Sequence, residues 1–459
     1  SYEAASYRWI GHCATSMPAA AIHCWIMPLE LKDKRITVMG LGRFGGGVRL
    51  ARWLVEQDAQ VTVTDLQSAE QLSDSLEQIA DIQAMLTLRL GAHQKSDFTD
   101  ADLVVVNPAV PHPWDNAYLN AATDAGVPIS TEIRLLTERL NRQRVIGVTG
   151  SAGKSTTAAM IHHILHAAGH HAHLGGNIGG SLLGSLDTIE PDAWVVLELS
   201  SFMLYWLDQG IGYADAAGWS PHIAVLTNLQ PNHLDWHGTI EHYEQSKQTI
   251  FRWQCEQDHA ITEKDAPTVS CTLKVRGQHN LQNASLAALA VHHAIGMSHE
   301  RALSLLSDFS GLPHRLCLVA EHDGMRFVDD SKSTTPAATV LAVKAFDDPA
   351  RVHLIAGGYD KGGDLSPIAE LASTLGGMYT IGETGKVLAN RAGRSNALYC
   401  GTLDVAVARA MNAMHRGDVL LLSPGCASWD QFTNYEQRGH CFAEAIAREC
   451  QASTDECSA

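Results

Sequence analysis

The 459-residue chain has no CxxC pair among its ten cysteines, no basic excess and no apolar run long enough to cross a bilayer. Each absence excludes a class of protein. Without paired or zinc-spaced cysteines, neither a disulfide framework nor a zinc module organises the fold, and reduced thiols in a cytoplasmic protein are expected. Acidic side chains outnumber basic ones 50 to 33, and a formal charge of −17 gives no general attraction for nucleic acid or an anionic membrane. Any phosphate must be held by a local site. Solenoid repeats and low-complexity tracts are also missing. Residues 1–26 lack the basic end and long apolar run of a signal peptide, so an extension outside the fold is expected there, with domain-like sequence from about Met27.

What is present is an ordinary globular mixture, 45% hydrophobic and 18% charged, in a chain too long for one core. Short β-branched runs at Ile36 to Met39, Val61 to Thr64 and Leu103 to Val106 alternate with amphipathic stretches, the rhythm of parallel α/β sheets. The rhythm restarts at Arg144 to Val148 and again in Met325 to Val328, Val352 to Ala356, Met378 to Ile381 and Val419 to Leu422. Three α/β domains are expected, over residues 27–135, 136–312 and 313–459: Rossmann-like, P-loop ATPase-type and Rossmann-like in turn.

Gly150-Ser151-Ala152-Gly153-Lys154-Ser155-Thr156 lies between a buried strand and a helical pattern, the setting a phosphate loop requires. Backbone N–H groups and the helix N-terminus would cradle phosphate oxygens, Lys154 would neutralise β/γ charge, and the Ser155 hydroxyl would face magnesium. Glu198 ends the apolar strand Ala193 to Leu197 and is the first metal candidate. His233, after strand Ala224 to Leu226, is either a ligand or a plain loop histidine. Gly40-Leu41-Gly42-Arg43-Phe44-Gly45 follows a strand and Asp65 ends the next, which read alone suggests a dinucleotide site. Beside a P-loop domain, the same turn more economically grips a pyrophosphate of another origin. Asn283 could cap a helix or touch a nucleotide base, and Lys361 could be an exposed turn lysine or pair with a carboxylate.

The short GxxGKST spacing resembles the ATP loop of Mur ligases and folylpolyglutamate synthetases, with Ala152 replacing the usual asparagine. Because backbone groups make the cradle, the replacement is expected to be tolerated. The chain is similar to the D-glutamate-adding Mur ligases in Gly175-Gly176-Asn177-Ile178-Gly179, Leu197 to Phe202 and Asn232-His233-Leu234-Asp235. The resemblance covers about residues 33–446 and is weaker in the first third.

The resemblance implies an amide-forming ligase of peptidoglycan precursor synthesis, using ATP and two Mg2+ ions to join glutamate to UDP-N-acetylmuramoyl-L-alanine. Glu198 and His233 would hold metal with Ser155, and Lys247 in Tyr243-Glu244-Gln245-Ser246-Lys247 would carry a carbamate. Lys154, Lys247 and His233 would be the catalytic set. Asn280, Asn283, Arg315, Asp330 and Lys332 would serve ATP alongside the loop. Gly42, Arg43, Phe44, Asp65 and Asn177 would meet the UDP substrate. Thr334, Lys361, Ser428 and Tyr435 would meet glutamate, with Trp429 standing where a smaller aliphatic residue is common. No DNPR-type motif of the lysine- or diaminopimelate-adding sisters is present. A monomer is expected, with the last domain closing over the central one during turnover. A folylpolyglutamate synthetase-like ligase should lack the first glycine turn. An oxidoreductase fused to an ATPase, or a non-catalytic nucleotide-binding regulator, would leave the metal and lysine positions without a purpose.

Overall fold

A computed structural model of the chain describes residues 28–456 apart from 43–45, 270, 272, 276, 361, 363, 394 and 395. The expected extension over 1–26 and the contacts expected of Arg43, Phe44 and Lys361 lie outside the described residues. Those residues form three sheets, one after another along the chain.

The first sheet contains β1 (Arg35–Met39), β2 (Gln60–Asp65), β3 (Leu86–Leu90), β4 (Leu103–Val106) and β5 (Ile129–Ser130) in the order β3-β2-β1-β4-β5, all parallel. Every residue of β4 is buried, as a parallel strand covered on both faces must be. Strand order reverses between β1 and β4, and the crevice beyond their C-terminal ends is where such sheets take ligands.

The second sheet contains β6 (Val145–Thr149), β7 (Ala172–Gly176), β8 (Trp194–Glu198), β9 (Ile223–Leu226) and β10 (His259–Thr262), again parallel, in the order β10-β9-β6-β8-β7. Central β6 therefore delivers its glycine turn between the end of β8, with Glu198, and the end of β9, with Thr227 and Asn228. The third sheet holds β11 (Cys317–His322), β12 (Met325–Asp329), β13 (Val352–Gly357), β14 (Gly377–Ile381), β15 (Ala397–Gly401) and β16 (Val419–Leu422). Its order is β11-β12-β16-β13-β14-β15, with β11 antiparallel to β12.

The first two domains share apolar packing: one continuous core runs from Val38 and Leu54 through Leu135, Leu136 and Leu183 to Leu197 and Ile250. Fully buried Arg134 joins them further, its guanidinium donating to the carbonyls of Trp206, Ala217 and Asp208. Among the described residues no helix is long and apolar enough to cross a membrane.

Candidate active site

The P-loop bends at Gly150, where φ is +149° and a β-carbon would collide with Thr227 Oγ1. Only glycine fits both demands. Asn228 grips the peptide of Ala152 from both sides, Nδ2 donating to its carbonyl at 3.0 Å and Oδ1 accepting its N–H at 2.9 Å. The N–H of Ser151 is likewise taken, by the Asn228 carbonyl at 3.0 Å. Residue 152 thus contributes only backbone to the loop. The donors left for phosphate lie from Gly153 onward, in the first turn of the helix Lys154–Ala167, where the amides have no acceptor within the helix. Asn283, bonded to Asn280 at 3.1 Å, is buried with its Oδ1 against Gly153 and backs the loop.

Four functional side chains surround this turn. Lys154 Nζ donates to the Ser151 carbonyl at 3.1 Å; burial lowers its pKa, Glu198 opposes that, and Arg315 adds to it. Lys247, 2% exposed on the helix Ile240–Arg252, donates to the Gly150 carbonyl at 2.8 Å and lies over the Tyr243 ring. Burial, then the charge of Lys154, pushes its ammonium well below the ordinary lysine range. Partial burial also lowers the pKa of His233, with Lys154 and Lys247 adding to the effect and Asp235 opposing it, which favours the neutral imidazole that a metal ligand must be. Glu198 is 1% exposed; Oε1 accepts from Asn177 Nδ2 at 2.9 Å while Oε2 is buried with no hydrogen-bond partner. An orphaned carboxylate oxygen beside a P-loop suits a divalent cation. Among the described residues no three His, Cys, Asp or Glu side chains gather as a ready metal cage. Asn177, expected as a UDP contact, sits in the central domain and orients Glu198.

The last domain reaches the same centre. Arg315, just before β11, donates from Nη2 to Ser155 Oγ at 3.0 Å, and its buried Nε has no partner. Lys332 lies 5.1 Å from the centre of the Tyr435 ring; burial lowers its pKa, with Arg315 adding and Glu198 opposing. Asp330 lies just past the end of β12, inside the last domain. It is buried, bonded to Ser423 Oγ at 2.7 Å and to the Leu316 N–H at 3.2 Å, and burial pushes its pKa up to about 6. Ser428 is buried at the start of a turn, accepting from the Phe432 N–H at 2.8 Å, and half-buried Thr334 lies on the loop after β12. Exposed Trp429 faces Tyr359, ring centres 5.5 Å apart.

Several residues that organise the site carry no isolated sequence signal. Fully buried Arg438 donates to the Ser331 hydroxyl at 3.0 Å, the Ser331 carbonyl at 2.8 Å and the Cys426 and Ala427 carbonyls at 3.2 Å, pinning both candidate glutamate loops to the last helix, Tyr435–Glu456. His314 Nδ1 meets Asp329 Oδ2 at 2.6 Å, against Gly439, where any β-carbon would strike the pair. Tyr243, whose hydroxyl is 2.8 Å from Ser151 Oγ, is a further wall of the P-loop.

In the first domain the Gly42 N–H donates to Asp65 Oδ2 at 3.0 Å, and Asp65 Oδ1 accepts from the Gln67 N–H at 2.9 Å. Asp65 therefore shapes the glycine turn at the β1–β4 crevice.

Three family descriptions match consecutive parts of the chain: "Mur ligase MurD-like, N-terminal domain" over residues 34–131, "Mur ligase middle domain" over 148–270 and "Mur ligase, glutamate ligase domain" over 314–426. The chain is 34% identical to a UDP-N-acetylmuramoylalanine–D-glutamate ligase of Acidobacterium capsulatum, across 91% of this chain and 97% of that protein. With the Geobacter metallireducens protein of the same name it shares 33% identity over 91% and 98%. A solved UDP-N-acetylmuramate-alanine ligase from Thermotoga maritima shares the fold at a TM-score of 0.55 and 18% identity, covering 91% of this chain and all of that one. Matched in all three domains, and to relatives of its own length, the chain belongs to the Mur ligase family.

Proposed function

We propose that the chain joins D-glutamate to UDP-N-acetylmuramoyl-L-alanine at the expense of ATP, in cytoplasmic synthesis of peptidoglycan precursors, and acts as a monomer. The observation that carries this reading is the gathering of buried Lys247 and Glu198 with half-buried Lys154 and the more exposed His233 around one glycine turn, in a chain about one-third identical to proteins so named. The divisions at residues 135 and 312 belong to the same reading, assigning the UDP part of the acceptor, ATP and glutamate to successive domains.

A carboxylate is a poor electrophile until its oxygen is phosphorylated. The terminal alanine carboxylate takes the γ-phosphoryl group, ADP leaves, and the glutamate amine attacks the acyl carbon, expelling inorganic phosphate and losing a proton. Transfer of this kind depends on positioning and charge stabilisation. Lys154, the first-turn amides and the unpaired Nε of Arg315 hold the phosphates. Glu198, His233 and Ser155 would hold Mg2+, which when bound neutralises and orients phosphate oxygens. Two ions are part of the proposal. Burial lowers the pKa of the Lys247 amine and so favours its unprotonated form, which can add to CO2 and release a proton, leaving an anionic carbamate that would be a ligand for the second ion. Asn280, Asn283, Asp330 and Lys332 stand on the nucleotide side. Thr334, Lys361, Ser428 and Tyr435 stand on the glutamate side, and Gly42, Arg43, Phe44, Asp65 and Asn177 on the UDP side.

The test is phosphate release with ATP, Mg2+ and UDP-N-acetylmuramoyl-L-alanine, with D- or L-glutamate in parallel and product mass read directly. Product with D-glutamate alone is expected. Product with L-glutamate alone would keep the ligase and change the substrate; none with either would discard the glutamate assignment.

A further inference from the structure

The loop that carries His233 is poorly equipped to hold itself. His233 is in the left-handed region at φ +53°, and the helix after it, Leu234–His237, is a single turn. A non-glycine residue there costs about 1–3 kcal/mol and persists only where its surroundings over-determine it, and one helical turn is not self-sustaining. Within the domain His237 meets Ser201 Oγ and His242 Nδ1, each at 2.9 Å, and further support comes from another domain. The loop after β4 leaves the crevice where the first sheet's strand order reverses and crosses to the central domain at His112-Pro113-Trp114.

There His112 Nε2 lies 2.8 Å from the carbonyl oxygen of Asp235, two residues beyond His233. A carbonyl only accepts, so the imidazole carries its hydrogen on Nε2 and donates. Trp114 packs its indole against the rings of Trp236 at 5.5 Å, Tyr205 at 5.6 Å and His242 at 4.6 Å. Trp236 stacks on Phe202 at 4.7 Å, and Phe202 meets the His233 ring at 4.9 Å. Phe202 lies in the helix Ser201–Trp206, which begins three residues after Glu198. One aromatic cluster, entered from the first domain, thus bears on the segments carrying both candidate metal ligands.

We propose that His112 and Trp114 are positioning residues that hold the His233 loop from the first domain, so that filling the β1–β4 crevice is felt at the phosphoryl-transfer site. The proposal rests on the ligase reading above. Neither side chain touches the reacting groups; each acts through the Asp235 carbonyl or the Trp236–Phe202 stack. Loss of such support typically weakens metal binding by about 10- to 100-fold. Occupancy of the crevice would reach His233 through a loop with a hydrogen bond at one end and an aromatic anchor at the other.

The experiment is a Mn2+ titration followed by electron paramagnetic resonance, with a non-hydrolysable ATP analogue bound and with or without UDP-N-acetylmuramoyl-L-alanine. It compares the wild type with Trp114→Ala, Trp114→Phe and His112→Ala. Trp114→Ala is expected to weaken Mn2+ about tenfold and abolish the tightening that the acceptor causes in the wild type. Trp114→Phe should restore most of both, and affinity for the ATP analogue should stay unchanged in all. His112→Ala should lose about threefold, the contribution of one hydrogen bond; it serves as the test if Trp114→Ala does not melt cooperatively. A folded variant with unaltered Mn2+ affinity and an intact acceptor response overturns the proposal. Failure of the wild type to bind Mn2+ or form product would instead bring down the ligase reading, and this proposal with it.

Discussion

The turn after β1 and the turn after β6 are both glycine bends after a buried parallel strand, yet among the described residues the side chains bonded to them differ in charge. Around the first, the carboxylate of Asp65 accepts from the Gly42 N–H, and Ser75 donates to the Gly42 carbonyl. Around the second stand two buried amines, Lys154 and Lys247, with the Arg315 guanidinium bonded to Ser155. Backbone amides at a helix start suffice to hold a diphosphate that stays intact. Moving a phosphoryl group needs, in addition, cations and a metal-ready carboxylate where charge develops. On the proposed ligase reading, the same backbone device would serve retention in one domain and reaction in the other.

The comparison breaks first at Lys154. Lys154→Ala is expected to lower phosphate release about a thousandfold or more while leaving calorimetric affinity for the UDP acceptor unchanged; an equal loss of acceptor affinity would mean the two turns are not separate in role. Next, Asn177→Ala frees Glu198 Oε1 and should raise the Mg2+ concentration for half-activity about 10- to 100-fold, read from initial rates. Smaller again, Asp65→Ala leaves two turn N–H groups unmet and should raise KM for the acceptor about tenfold, with kcat and KM for ATP nearly constant. A change in the ATP terms would place Asp65 outside the first turn's function.

The smallest effect is on stability. The native Lys247 amine binds protons well below the unfolded value of about 10.4, so between those pKa values the unfolded chain holds more protons and stability rises with pH. In CO2-free buffer, Lys247→Met should therefore unfold at higher urea than the wild type at pH 7, by about 1 kcal/mol. The gap should close as pH approaches 10; a gap that widens would contradict the buried neutral amine.

How much could be read beforehand follows the range of each interaction. The P-loop was legible because its elements are consecutive, and Glu198 because a buried strand ends on it. Buried β-branched runs marked β1, β2, β4, β6, β13 and β16, whereas β3 and β15, with half-buried or exposed residues along them, left no such trace. Lys247 looks like any helix lysine until folding brings it against Gly150, 97 residues away, and only family likeness singled it out. Arg438, reaching Ser331 over 107 positions, and Asn228, reaching Ala152 over 76, are contacts of tertiary structure with no local pattern. The motif of Asn177 marks it as a substrate-side residue but says nothing about the direction of its amide, so its bond to Glu198 was not legible.

The position of β16 has a consequence for how the enzyme is made. It is the last strand of its sheet in the chain, yet it lies between β12 and β13 and pairs with both. A nascent chain emerging from the ribosome can complete the first two sheets in order, but holds the third as two unjoined halves until residues 419–422 arrive. Arg438 then ties the loops together from the following helix. The third sheet is thus completed only after the first two can already have formed.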